Sequence, residues 1–334
     1  MKTVLAALNE ALVEAMDADD RVVVIGEDIL DPYGGAFKVT RGLSTRFPDR
    51  VYTTPISECA ITGVATGMAL RGFRPVVEIM FGDFLGLTFD QVLNHAAKFR
   101  WMYNGQVRAP IVIRTPMGGR RGYGPTHSQS TEKFFLGIPG LRVVAPNTLA
   151  DPRPLLVDCI RNNEDPLLFV EHKLLYTRPV RTAAEMAGWE ARSSGSSCPV
   201  IRLQLRGAPP PTVTIASYGY MTELVLEAVS RLAIEREVFA EAVIFTEISP
   251  LAAEPLLESV AATGRLLTVE EGSRALGWGS EVAASVAERH GGKRPLAIRR
   301  VAARDVAIPS SRKLEDAVLP GIEDIIAASI AAGG

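Results

Sequence analysis

The sequence predicts an α/β protein of two domains. Three observations carry that expectation. Short apolar runs alternate with stretches of helical periodicity from the N-terminus to about residue 178. The rhythm then breaks over 179–207, a segment containing SSGSSCP that leads into GAPPPT. It resumes from about 208 to 334. Such alternation implies parallel strands covered by helices on both faces. A chain of 334 residues is long enough for two separate cores. The boundaries expected are therefore 1–178, a linker at 179–207, and a smaller domain at 208–334.

The elements follow in order. Leu5, Leu8, Leu12 and Met16 recur at helical spacing and open the chain with a helix. RVVVIGED reads as a buried strand ending in a turn with two acids. A helix is expected over about 59–71, then a strand at PVVEIM and a helix through FDQVLNHAAKFRWMY. APIVIRTP and RVVAP read as strands, 151–161 as a helix and PLLFVE as a strand. Beyond the break, TVTIAS, VFAEAVIF, RLLTVEE and PLAIRRVA are the strands, with a helix at 222–235 and others between. No repeat of 20–50 residues is visible.

Composition excludes several classes. The formal charge of -2 argues against a nucleic-acid binder, which carries a basic excess. No stretch approaches the roughly 20 apolar residues that span a bilayer. The N-terminal apolar run holds Glu10, Glu14 and Asp17, so it reads as an amphipathic helix and not a signal sequence. Cys59, Cys159 and Cys198 are odd in number and far apart, which reads as reduced thiols in a cytoplasmic setting. The four histidines show no metal-ligand spacing, and no metal ligand is expected in this chain.

Phosphate-binding signatures are missing. There is no G-x-x-x-x-G-K-[ST] loop, no G-x-G-x-x-G between a strand and a helix, no G-x-S-x-G elbow and no H-E-x-x-H. An α/β protein of this size without a phosphate cradle binds another kind of ligand or shares a site with a partner. Three features compete for a chemical role. In TTPISECAITGVATG, Glu58 opens a helix rich in small residues. The plainer reading is a first-turn carboxylate favoured by the helix dipole, with Ser57 as cap. The chemical reading is a poorly hydrated carboxylate at an interface, suited to proton exchange, with Gly63 and Gly67 permitting close packing. The loop MGGRRGYGPTHSQS is a surface connection or a mobile cover, with His127 donating to a ligand and Arg120 or Arg121 gripping a partner. Phe81 and Phe84 in MFGDF line a core unless a ring stacks there.

Taken together, GED, YGGAFKVTRGL, TPISE with G-x-A-x-G, RPVVEIMFGDF, FDQVLNHAAKFRWM, GPTHSQSTEKFF, IPGLRVVAPNT and DPLLFVEHKLLY are more specific than any one. Over residues 4–178 the chain resembles the beta subunit of the thiamine-diphosphate-dependent component of 2-oxo acid dehydrogenases, the pyruvate, branched-chain and acetoin enzymes. The resemblance continues more loosely through TVTIASYG, ATGRLLTVEEG and IPSSRKLEDAVLP. It implies a parallel-sheet, pyrimidine-binding domain of the thiamine-diphosphate-binding fold, followed by a smaller transketolase C-terminal-type domain. It implies an alpha subunit carrying GDG and Asn-Asn that holds the diphosphate and magnesium, because this chain has no GDG. Two alpha and two beta subunits, and a lipoyl acyltransferase as further partner, are also implied.

Carried over residue by residue, the resemblance gives Glu58 a hydrogen bond to the pyrimidine nitrogen, which favours the tautomer that deprotonates the thiazolium carbon. Ile56 falls in the same cofactor-contacting motif. Phe84 would pack on the aminopyrimidine, and His127 would position the 2-oxo acid or assist acyl transfer to lipoyl. The chain departs from the pattern at Ile244–Leu251, where Glu247 stands in place of a basic residue, and in the bulky, basic GGRRGYG. These departures leave room for a second reading: a split transketolase-like enzyme that passes its two-carbon or acyl unit to a carbonyl acceptor.

Overall fold

The computed structural model describes residues 2–194, 197–291 and 295–331. In the first domain the order is α1 (Val4–Ala18), β1 (Val22–Gly26), α2 (Leu43–Arg46), β2 (Val51–Thr53), α3 (Glu58–Leu70) and β3 (Arg74–Glu78). A 3-10 helix (Gly82–Thr88), a π-helix (Gln91–Ala96) and α4 (Ala97–Met102) follow. Then come β4 (Val112–Met117), β5 (Arg142–Val144), α5 (Pro152–Arg161) and β6 (Leu167–His172). The single helix expected through FDQVLNHAAKFRWMY is thus wound in π and α forms in turn. Local chemistry sets the helix starts. Thr3 accepts from the Ala6 N–H, and Asp151 accepts from the Arg153 N–H with Pro152 just inside the helix.

The second domain contains β7 (Trp189–Ser193), β8 (Val200–Leu205), β9 (Val213–Tyr218), α6 (Met221–Arg236), β10 (Ala240–Phe245), β11 (Glu247–Ser249) and α7 (Glu254–Thr263). It ends with β12 (Arg265–Ser273), α8 (Trp278–Arg289), β13 (Ala297–Ala303), α9 (Arg312–Val318) and α10 (Ile322–Ala331). Its sheet order is β13-β12-β9-β10-β8-β7. The stretch 179–207 is therefore not a plain linker. It carries β7 and β8, paired antiparallel, and β8 pairs antiparallel with β10. Of the composition that suggested a linker, the Ser/Gly part falls between the two strands, where Gly195 and Ser196 lie outside the described residues, and GAPPPT connects β8 to β9.

The first sheet has the order β11-β5-β6-β4-β3-β1-β2 and is parallel apart from β11. One face packs Val22, Val24, Val76 and Val112 against α1 and α5. The other buries Val77, Ile113 and Leu168 against α3 and the π-helical segment, in a core that runs on into Phe245 and Trp278 of the second domain. Strand β11 crosses between the domains: it lies in the second by sequence but pairs with β5 of the first. The departure at Glu247 belongs to this crossing, for its carboxylate accepts from Arg142 Nε at 2.6 Å.

Candidate active site

Because β1, β3, β4 and β6 are parallel, their carboxyl ends share one edge of the sheet, where open α/β sheets bind ligands. Glu27 follows β1, Phe81 and Phe84 follow β3, the loop Gly118–Ser130 follows β4, and Lys173 follows β6. Glu58 opens the helix after β2.

Glu58 is only 4% exposed. Ser57 occupies the cap position but makes no side-chain cap bond, so the simple capping account does not explain this helix start. Burial first, then the neighbouring Glu58 charge, pushes the Glu27 carboxyl above the usual range, against the Ser57 backbone N–H that donates to it. Glu27 Oε1 is buried without a hydrogen-bond partner. The inward face of α3 packs Ile61, Ala65 and Ala69. Its outward face bares Cys59, Ala60, Val64 and Gly67, and Ile56 just before it is 83% exposed. A Cβ on Gly63 would come within 3.0 Å of Gln91 Oε1, while one on Gly67 would meet nothing. Gly63 thus lies against the Gln91 side chain of the π-helical segment, and Gly67 lies on the open face.

Phe84 and His127 are brought together, with ring centroids 5.3 Å apart and nearly perpendicular. Phe81 lies closer still to His127, at 4.7 Å edge to face, and also touches Phe37, Phe84 and Tyr123. Helix α3 packs against the 3-10 helix that carries Phe84. Asp83 Oδ1 in that helix accepts from the Gln129 backbone N–H at 3.2 Å and from Gln129 Nε2 at 2.8 Å, tying it to the His127 loop.

That loop is anchored by the second domain. Glu271 of β12 accepts from the Gly119 N–H at 2.7 Å and from Arg120 Nε at 3.1 Å, and it lies 3.0 Å from His172 Nε2. Glu315 of α9, fully buried, accepts from the backbone N–H groups of Arg120 (2.7 Å) and Gly122 (3.0 Å). Arg120 also donates to the Pro320 carbonyl at 2.6 Å. Burial pushes the Glu271 carboxyl up, but His172, Arg120 and the Gly119 N–H outweigh it and hold the pKa at about 2. Gly118 is required here: its φ is +92°, and a Cβ would overlap the His172 ring. The two arginines therefore part company. Arg120 is consumed by the interdomain contacts, while Arg121 stays exposed between the rings of Phe37 and Tyr123.

Sequence reasoning missed Glu27, Lys173, Glu271 and Glu315. Glu27 was visible as one of the acids closing the first strand. The carboxylates of the second domain lie 151 and 195 positions from Arg120, and no local pattern announces such a pairing.

The fold and this edge define the transketolase class of two-domain proteins. Residues 1–179 match the family described as the transketolase pyrimidine-binding domain, and 206–325 the transketolase C-terminal domain. Among solved structures, a chain titled "Split gene transketolase, inactive beta4 tetramer" superposes with a TM-score of 0.76 at 23% identity, covering 99% of this chain and 98% of that one. Among curated proteins, "Pyruvate dehydrogenase E1 component subunit beta-1, mitochondrial" of Arabidopsis thaliana is 39% identical over 98% of this chain and 88% of its own length. "Acetoin:2,6-dichlorophenolindophenol oxidoreductase subunit beta" of Cupriavidus necator is 38% identical over 97% and 95%. A pyruvate dehydrogenase beta subunit of Rickettsia bellii is 35% identical over 97% and 96%. The chain belongs to the beta subunits of the thiamine-diphosphate-dependent 2-oxo acid dehydrogenase component. Among the described residues no helix is long and apolar enough to cross a membrane.

Proposed function

We propose that this chain supplies the aminopyrimidine half of a site completed by an alpha-type subunit, and that the assembly decarboxylates a 2-oxo acid and passes the acyl group to lipoamide. One observation carries the reading: a buried carboxylate, Glu58, stands at the carboxyl edge of the sheet beneath a face that this chain leaves bare. The edge fits an aminopyrimidine. Glu27 Oε1 is a buried polar atom without a partner, and Phe84 and His127 stand together at the same sheet edge. Thiamine diphosphate, when bound, supplies the carbon nucleophile and electron sink of the reaction.

The chain's own groups have distinct tasks. Glu58 holds a proton at the pyrimidine ring nitrogen. Glu27, whose carboxyl is pushed above the usual range first by burial and then by the Glu58 charge, lies beside it with an unpartnered oxygen. Phe84 offers a ring to the aminopyrimidine, and Phe81 and Phe84 exclude water. His127 donates to the substrate or the departing acyl group. Ile56 reaches outward to the cofactor and the partner. Diphosphate and magnesium fall to the alpha-type subunit with its GDG and Asn-Asn, in a two-alpha, two-beta assembly. Among the described residues no disulfide joins the three cysteines, which suits a reducing compartment such as the cytoplasm. The dehydrogenase subunits are the relatives in sequence, whereas the likeness to split transketolase is one of fold.

The test is co-expression with an alpha-type partner. Calorimetry should show tight thiamine diphosphate binding by the complex and weak or no binding by the isolated chain. Turnover of a panel of 2-oxo acids should reductively acylate lipoyl protein. Tight cofactor binding by the isolated chain, or carbon–carbon bond formation in place of acylation, would overturn the assignment.

A further inference from the structure

The mechanism above leaves the buried cation Lys173 unused. Lys173 follows β6 at the sheet edge and has no solvent exposure. Its Nζ donates to the backbone carbonyl of His127. The ammonium lies 5.3 Å from the centroid of Phe81 and 5.5 Å from that of Tyr123. Among the described residues no carboxylate comes within 4.0 Å of it. Buried charges are ordinarily paired with an opposite charge or replaced by apolar groups, because desolvation costs more than one neutral acceptor returns. Burial pulls the Lys173 pKa down to about 8; Asp83, Glu271 and Glu315 act against that pull, and Arg121 adds to it. Filling this space would need only an apolar side chain. A lysine does more: it grips the one residue of the loop whose imidazole faces Phe81 and Phe84.

The geometry points to Lys173 as the positioning residue of His127: by holding the His127 carbonyl, it fixes where the imidazole stands against the two phenylalanines. The inference rests on the reading of His127 given above and deepens it. Glu271 and Glu315 hold the start of the loop, and Lys173 holds its far end.

The experiment uses the complex with its alpha-type partner, in wild-type form and with Lys173→Met or Lys173→Gln. Both variants lack the charge, and glutamine is too short to reach. Diethyl pyrocarbonate acylates neutral imidazoles, and the tryptic peptide Gly122–Lys133 contains His127 as its sole histidine. Mass spectrometry of that peptide gives the rate at His127, with His95 as internal control. The variants should react at His127 at least about 3-fold faster, as expected of a loop with a lower opening free energy, with His95 unchanged. They should lose about 10-fold in kcat with KM for pyruvate, or for whichever 2-oxo acid the panel selects, within about 2-fold. A wild-type rate at His127 in both variants overturns the proposal, and so does an equal increase at His95, which would mean a loosened fold. A fully active His127→Gln variant would instead remove His127 from the reaction and leave the rate comparison standing, so the two failures are distinguishable.

Discussion

Helix α3 and the loop Gly118–Ser130 sit on the same sheet edge and are built in opposite ways. The loop is polar, glycine-rich and basic, yet its position is fixed by contacts inside the chain: Glu271 and Glu315 from the second domain, Asp83 and Lys173 from the first. The helix is small and apolar, and its outer face, with Val64 55% exposed, is covered by no element among the described residues. Glycine-rich composition thus marks the ordered half of the site, and helical composition marks the half left open. The difference teaches where preorganisation comes from: the second domain fixes the loop, and on the reading proposed above a second chain would complete the half at α3.

The sharpest way to break that contrast is to remove Glu58, the carboxylate proposed to handle the proton, from the open half. Glu58→Gln, in the assembled complex, should lower kcat by about 10²–10⁴-fold, the range for a lost general acid–base group, with assembly by size-exclusion chromatography unchanged. Activity within a few-fold of wild type would return Glu58 to the role of a buried helix-start carboxylate.

The second way acts on the ordered half. Glu271 has a pKa near 2 in the folded chain against an ordinary value of 4.5. A carboxyl so depressed contributes stability that is fully present above pH 4.5 and is lost as pH falls toward 2. Glu271→Gln should therefore unfold at lower denaturant at pH 7, and the gap to wild type should close as pH is lowered from about 4.5. A gap that stayed constant with pH would show that the carboxylate is not what ties the loop to β12.

What the sequence showed of all this follows the range of the interactions. The alternating strands and helices were readable because hydrophobic period is local, and Val22, Val24, Val76 and Val112 lie where that period puts them. The hairpin β7–β8 was not, because its Ser/Gly/Pro turn looks like a linker until the pairing with β10 is seen. Phe84 and His127 were legible as motif residues and do meet. The anchoring of the loop was not legible, since Arg120 finds its carboxylates in another domain.

A smaller effect is expected from the bare face of α3. Val64→Arg places a charge where the reading above requires a covering chain. The variant alone should melt within about a degree of wild type, as exposed substitutions do. Its affinity for the alpha-type partner should fall by at least about 10-fold, the cost of an unpaired charge in an apolar interface. Undiminished assembly would mean that the open face looks onto solvent in the complex too.

The smallest effect isolates a single strand. Glu270 and Glu271 are neighbours on β12 and make their contacts with different elements. Glu271 faces the loop and its cations, whereas Glu270 faces the start of α8, accepting from the Gly279 N–H at 2.9 Å. Burial first, with the nearby Glu132 carboxylate adding to it, raises the Glu270 pKa to about 7 despite the Gly279 and Trp278 N–H groups. The sign is then the reverse of its neighbour's. The folded chain binds this proton more tightly than the unfolded chain, so stability falls as pH rises from 4.5 to 7 and stays low above that. Glu270→Gln removes the cost and keeps an acceptor for Gly279. It should be more stable than wild type by about 1–2 kcal/mol at pH 8, after allowance for the weaker acceptor, and about equal to it near pH 4.5. Denaturant titrations at the two pH values measure the difference. If both substitutions destabilised at pH 8, the contrast between the two carboxylates would fail, and β12 would be a strand that needs negative charge at both positions.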